Sequence, residues 1–150
     1  MTNTKYETVF AEFKDKITDP DLITFAEDLQ TEMLIAYMNK AIGKCKRIAK
    51  PIIDLSVRDD EIMEFGVELP DEVMDIITEW MTVFWLQPFV NNIENLRNNL
   101  STKDFSVFSP ANLLEKIGTR YDIARKHARS LTNEYSYIIA DMKELKSWLK

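Results

Sequence analysis

The chain of 150 residues has one histidine and one cysteine, the side chains best suited to general-base and nucleophilic chemistry. His127 lies among Arg125, Lys126 and Arg129, and no serine or cysteine pattern converges on it. A histidine in such a run is typical of a solvent-exposed helix surface. Cys45 falls on the apolar side of a predicted helix, which indicates an inert core residue. Neither side chain is therefore predicted to act in catalysis.

Carboxylates are the other groups that could do chemistry. The run Asp59, Asp60 and Glu61, with Glu64 nearby, offers the oxygen ligands that hard cations prefer, but acidic runs are more often solvated surfaces. The sequence has no Glu-x-x-His pair for a di-iron centre and no glycine-rich phosphate loop. We predict a protein that is not an enzyme and has no catalytic residues, no cofactor and no metal site.

Composition and charge narrow the class of protein. Hydrophobic residues at 45% and charged residues at 29% are ordinary for a globular domain, and only 3 glycines favour a few long helices. One cysteine excludes an intramolecular disulfide and fits a reducing compartment. Residues 1–109 hold 20 acidic against 11 basic residues, a balance unsuited to sequence-independent nucleic-acid binding. We see no signal-peptide pattern, and the apolar stretch 80–90 is too short to span a membrane.

Two capping-box patterns, at 4–7 and 24–27, predict where the first two helices begin; in the first, Thr4 and Glu7 would satisfy free N–H groups. The apolar face of the first helix is predicted to comprise Tyr6, Phe10, Phe13 and Ile17, before Asp19-Pro20 ends it. The face of the second is predicted to comprise Leu29, Met33, Tyr37, Ala41, Cys45 and Ile48, before Pro51.

Residues 54–68 are predicted to form a short acidic helix that ends at Gly66. Its inward anchors would be Ile62, Met63 and Phe65. Pro70, followed by Asp71 and Glu72, then marks the start of a third helix.

The third helix contains the most apolar stretch of the chain, "TEWMTVFWLQPFV" at 78–90. Its early turns are amphipathic, with one side formed by Val73, Ile76, Ile77, Trp80 and Phe84 and the opposite side by Asp75, Thr78, Glu79 and Thr82. Beyond Phe84 this distinction disappears, which predicts burial all round and a kink at Pro88. We predict that Trp80 and Phe84 build the core of the chain. Trp85 and Phe89 should meet a second layer, either the fourth helix or another subunit.

The fourth helix is predicted over 110–137, after a loop that Phe105 and Phe108 pin down, with Ser109-Pro110 as its start signal. Its apolar residues follow a heptad rhythm: Leu114, Ile117, Tyr121, Ala124, Ala128, Leu131 and Tyr135. Gly118 suggests a close backbone approach or a bend. The tail 138–150 ends with Trp148 and Leu149, which indicates docking on the same domain or on a neighbour.

Several motifs together bring a family into view. They are "RDDE" at 58–61, "EW" at 79–80 with Pro88, "ENL" at 94–96, "STKDFSVFSPAN" at 101–112 and "YSY" at 135–137. Over roughly residues 55–137, this chain resembles the small helical head–tail connector (neck or adaptor) proteins of tailed bacteriophages that infect Gram-positive hosts.

The resemblance implies a structural virion protein without catalytic activity. Its subunits would form a homo-oligomeric ring, commonly twelvefold, below the portal protein, extending the DNA channel and supporting a downstream neck or tail protein. DNA would pass through the channel without specific binding. The C-terminal segment would reach the portal, and the protein would reside in the neck of the virion and, during assembly, in the host cytoplasm, with no membrane partner. The alternative is a small helical regulatory or adaptor protein that binds a single protein partner.

The predicted architecture is all-α: a bundle of about four main helices with a long C-terminal helix and an extended C-terminal tail. Residues 1–137 would form one helical domain, and 138–150 the partner-docking tail. The predicted partner interface comprises Trp85, Phe89, Phe105, Phe108, Tyr135, Tyr137, Ile138, Ile139, Met142, Leu145, Trp148 and Leu149.

Overall fold

The computed structural model describes residues 2–18, 26, 29–91 and 110–149, with side chains in the last range described from Leu114 onward. Within these ranges the chain is built of four helices and one small hairpin. They are α1 (Tyr6–Lys16), α2 (Thr31–Ala49), β1 (Arg58–Asp59), β2 (Glu64–Phe65), α3 (Asp71–Asn91) and α4 (Pro110–Trp148). The prediction of an all-α bundle with a long C-terminal helix is confirmed.

Helix α3 is the centre of the bundle, and the other three helices pack around it. Helix α4 runs antiparallel to α3, because the Trp80 indole N–H donates to the Thr132 hydroxyl at 2.9 Å, whereas Glu72 lies near Tyr135. Burial first, and then the charge of Glu72, raises the pKa of Tyr135. The start of α3 therefore lies beside the later part of α4.

The core side of α1 was predicted correctly, since Tyr6, Phe10, Phe13 and Ile17 are all buried. The capping box was wrong. The helix begins at Tyr6, and its N-cap, Lys5, makes no side-chain capping bond. The Thr4 hydroxyl instead accepts a hydrogen bond from the Leu69 backbone N–H at 2.9 Å. Thr4 therefore joins the N-terminus to the segment that leads into α3.

Helix α2 begins at Thr31, later than predicted, and Leu29 lies before it. The capping box proposed at 24–27 falls largely outside the described residues. The buried face is rotated relative to the prediction and comprises Leu34, Met38, Ala41, Ile42, Cys45 and Ala49. Met33 is exposed and Tyr37 half-buried. The rotation arises because Leu34 and Met38 offer an apolar stripe one position along from the predicted one.

The short acidic helix predicted over 54–68 is wrong, because this segment forms the β1–β2 hairpin. The Asp59 carboxylate accepts the backbone N–H of Glu61 at 2.9 Å, which offers the chain a turn in place of a helix. Met63 has a φ of 53°, a left-handed conformation that interrupts any helix. Phe65 is fully buried as predicted, Met63 is half-buried, and Ile62 is exposed.

Helix α4 is longer than predicted. It begins at Pro110, as the start signal indicated, but continues past 137 to Trp148. Its 39 residues correspond to about 58 Å. No close backbone approach occurs at Gly118, because an added Cβ would meet nothing within 4 Å. Helix α3 likewise continues through Pro88 to Asn91.

Candidate functional site

The tryptophan-rich stretch of α3 is covered by the chain itself. Trp85 is 2% exposed, and its ring meets Phe13 of α1 edge-on, with centroids 6.1 Å apart. The second layer over Trp85 is therefore α1, whereas the sequence suggested α4 or another subunit. Trp80 is the residue that bonds to α4. The prediction of burial all round beyond Phe84 is wrong: the helix is buried all round earlier, over residues 76–83, where Thr78 and Thr82 are fully buried. After Leu86, Pro88 and Val90 are exposed.

The two buried threonines are accommodated through their own helix. The Thr78 hydroxyl donates to the Met74 carbonyl at 2.9 Å, and the Thr82 hydroxyl donates to the Thr78 carbonyl at 3.0 Å. Because each hydroxyl is satisfied locally, its methyl group can pack in the core. This explains how a side that reads as polar becomes buried.

A buried carboxylate also fastens the helices together. The Glu79 side chain is 5% exposed, with Lys16 Nζ at 3.2 Å, His127 Nδ1 at 3.5 Å and Arg120 NH1 at 3.8 Å. These cations come from α1 and α4, so Glu79 connects three helices. His127, predicted to be a plain surface residue, is half-exposed but contacts this carboxylate. The group is a structural clamp, since its polar atoms are directed at one another.

The family-like motifs in the described residues have structural roles of this kind. In "EW", Glu79 is the clamp and Trp80 bonds to Thr132. In "RDDE", Asp59 closes the hairpin turn and Asp60 accepts the Tyr6 hydroxyl. Burial, followed by that hydrogen bond, raises the pKa of Tyr6 to about 12. Such contacts explain the motifs by the needs of the fold.

Cys45 behaves as an inert core residue. It is 2% exposed, and burial raises the pKa of its thiol to about 12, so the reactive thiolate is suppressed. Among the described residues, no group of three or more His, Cys, Asp or Glu side chains is arranged to hold a metal ion. No helix in the described part of the chain is long and apolar enough to cross a membrane.

The predicted interface residues separate into buried and exposed groups. Trp85, Tyr135 and Ile139 lie in the core of the chain, at 2%, 7% and 5% exposure, and leave little surface for a partner. Phe89 is half-buried, with its ring edge-on to Trp85 at 6.3 Å. Phe105 and Phe108 lie outside the described residues. The exposed members are Tyr137, Ile138, Met142, Leu145, Trp148 and Leu149.

These exposed residues, apart from Tyr137, lie in residues 138–149, which comprise the last part of α4 and the turn residue after it and which we call the α4 tip. The heptad rhythm of α4 continues into the tip without a break, through Ile138, Met142, Leu145 and Leu149. The sequence contains this signal, because the 3-4 spacing predicted up to Tyr135 continues to Leu149. One apolar seam therefore runs along α4 from Leu114 to Leu149.

The bundle covers only the first part of this seam. Ile117, Ala124 and Ala128 are at most 1% exposed beneath α3 and α2, and the last buried residue in the described part of α4 is Ile139, which lies next to the seam. Farther on, Met142 is 40% exposed and Leu145 63%. From Ile139 to Trp148 the helix extends about 14 Å past its last buried contact.

The tip combines this apolar seam with a mixed-charge border. Leu145 and Trp148 form a shallow depression together with Asp141 and Glu144. Lys143 and Lys146 add positive charge to the same turns. An amphipathic helix with such an exposed seam has the features that allow a helix to lie against an apolar groove or another helix.

Comparisons with known proteins add no identification. No family model matches the chain, and neither a curated protein nor a solved structure matches it.

Proposed function

We propose that this chain is a structural assembly protein of the head–tail connector kind, which uses the α4 tip to dock onto a neighbouring protein of the virion. The observation that carries the proposal is the exposed heptad seam at Ile138, Met142, Leu145 and Leu149. The resemblance of residues 55–137 to phage connector proteins supplies the setting, a ring of subunits beneath the portal.

The geometry of the tip suits ring assembly. In a cyclic ring, every copy presents its α4 tip in the same direction relative to the ring axis. One tip offers few apolar side chains and would bind weakly alone. Several tips engaging a second ring at once would bind far more tightly, because each later contact is intramolecular.

The charge distribution is compatible with a DNA channel. Residues 1–109 carry 20 acidic against 11 basic side chains. An acidic wall repels phosphates, so DNA would slide past without tight contacts. In this proposal the protein extends the channel and performs no catalysis.

The test is a binding experiment with the purified portal protein encoded in the same genome. We expect the full chain to bind as a ring of about twelve copies per portal, in line with cyclic assembly. A chain ending at Ala140 keeps every buried residue of α4, so it should retain its unfolding midpoint but lose portal binding. Mass measurement in solution and an image of the complex supply the two readouts.

Two outcomes would contradict the proposal. One is a full-length chain that stays monomeric with portal present. The other is a shortened chain that binds as well as the full one, which would remove the docking role of the tip. Binding of a single copy to one partner chain would instead support the alternative, a helical adaptor protein with one partner.

A further inference from the structure

We propose that, in the free protein, the α4 tips of two copies pair antiparallel, seam to seam. This inference does not depend on the portal or on any other partner. It follows from three features of the described residues: the continuity of the heptad seam, the position of the bundle along α4, and the order of side chains in the tip.

The position of the bundle excludes parallel pairing. On the seam side of α4, the space beside residues 117–135 is already filled by α3 and α2. Helices in heptad packing cross at only about 20°, so a parallel partner would have to run through that space. An antiparallel partner approaches from the opposite direction, and the two bundles then lie at opposite ends of the paired tips.

The length of the tip matches what antiparallel pairing requires. The seam is uncovered from Ile138 onward, and the segment 138–149 spans about 16 Å. If Met142 of one copy packs on Leu145 of the second, Ile138 packs on Leu149 at each end. All four seam residues of both copies are then covered.

The charges along the tip also suit this arrangement. In antiparallel heptad packing, a residue that flanks the seam on one helix lies opposite a residue of the same heptad position on the partner helix. In this register Asp141 faces Trp148 of the second copy, and the position level with Lys146 is Ile139, which is buried in its own bundle and uncharged, so no like charges oppose each other.

Charged residues farther from the seam also favour antiparallel pairing of two copies. Lys143 and Lys146 approach the end of the other bundle, where residues 54–75 hold nine acidic side chains and only one basic one, Arg58. Opposite charge at this distance favours the antiparallel encounter, although salt screens it.

The pairing should be weak and reversible. Few apolar side chains of each copy take part, less than in a standard interface of about 800 Å² per partner. A micromolar to millimolar dissociation constant is therefore expected. Such a contact keeps the apolar seam covered in the free protein and yields to any partner that binds it more tightly.

Sedimentation of the purified chain over a concentration series tests the association. We expect a monomer–dimer equilibrium. Leu145→Lys places a charge at the centre of the seam and should weaken dimerisation at least tenfold. Ser147→Lys makes the same charge change on the outer side of the same helix turn and should leave the dimer intact. Both positions are exposed, so neither variant threatens folding.

A distance measurement tests the orientation. Lys126 is exposed and lies in the part of α4 whose seam is covered by the bundle. A spin label on Lys126→Cys reports the distance between this position in the two copies. The native Cys45 is buried and resists labelling. The antiparallel register predicts about 50 Å along the helix axis, against about 20–30 Å for parallel pairing. A chain that stays monomeric up to about 1 mM, a short label distance, or equal dimerisation of the two lysine variants would each overturn the proposal.

Discussion

The two halves of α4 share one heptad pattern of apolar residues but differ in how much of it is buried. Between Ile117 and Tyr135 the seam faces α3 and α2 and is largely buried. Between Ile138 and Leu149 the same spacing faces no other described element of the chain, and the side chains are 40–86% exposed apart from Ile139. Apolar periodicity therefore identifies a helix face that is suited to burial. Whether another part of the same chain buries that face depends on the rest of the fold.

The covered half also has polar attachments that the tip lacks among its described contacts. Arg120 and His127 reach the buried Glu79 carboxylate, and Thr132 accepts the Trp80 indole N–H. These contacts fix the rotation of α4 against α3. In the tip, the Ser147 hydroxyl makes a local hydrogen bond, donating to the Glu144 carbonyl at 2.7 Å. The tip is thus held by helix continuity, and its seam remains available.

The largest difference between the halves should appear on truncating an isoleucine in each. Ile117 is 1% exposed and Ile138 is 50% exposed, and both occupy the same heptad position. Ile117→Ala removes buried methyl groups and leaves a cavity, so it should lower the free energy of unfolding by about 2–4 kcal/mol. Ile138→Ala should lower it by less than about 1 kcal/mol.

Urea unfolding followed by helix content, at low protein concentration to disfavour self-pairing, provides the measurement. Equal decreases in the free energy of unfolding for the two variants would mean that the tip is covered within the monomer. That result would contradict the difference between the two halves of α4. An Ile138→Ala loss that grows with protein concentration would instead support the antiparallel dimer.

Much of the fold could be predicted from the sequence because the signals were local and periodic. The faces of α1 and α4 and the start at Pro110 follow from apolar spacing or capping chemistry. Trp85 was assigned to a partner interface, but it is buried against Phe13 of α1. The hairpin could not be predicted this way. It depends on the left-handed Met63 and on backbone pairing with the distant Thr4, whose carbonyl accepts the Phe65 N–H at 2.8 Å.

The partner role of the candidate interface stays a prediction, and only the exposure of its residues can be compared with the structure. Leu145, Trp148 and their neighbours were expected to be available to a partner, and in the structure they are exposed. Tyr135 and Ile139 were assigned to the same surface but are buried. A list of apolar residues cannot separate these cases, because exposure depends on where α3 begins beside α4. That position is set by tertiary packing.

An intermediate effect is expected from removing the charge that holds the covered half. Glu79→Gln leaves Lys16, Arg120 and His127 without their shared carboxylate. Those three side chains are partly exposed and can rehydrate, so the loss should fall below the full cost of breaking a buried pair, at about 1–2 kcal/mol of unfolding free energy. Glu144→Gln, on the exposed tip, is the matched control and should change stability by less than about 0.5 kcal/mol. Similar losses for the two variants would show that Glu79 contributes no more than a surface carboxylate.

The smallest expected change in the free energy of unfolding is at Gly118. It tests whether side chains or close backbone contacts hold the covered half of α4 in place. Gly118 lies within this half, and a Cβ added there would meet nothing within 4 Å. Gly118→Ala should therefore raise the free energy of unfolding by about 0.5–1 kcal/mol, because alanine restricts the unfolded chain and favours the helix. Gly66 is the contrasting position, since a Cβ there would lie 2.7 Å from Val57 Cγ1 and 3.2 Å from the Val57 carbonyl oxygen. Gly66→Ala should lower stability in the same urea experiment. A lower free energy of unfolding for Gly118→Ala would mean that α4 approaches its neighbours more closely in solution. The half of α4 that the bundle covers would then be held partly by close backbone packing, which the tip lacks.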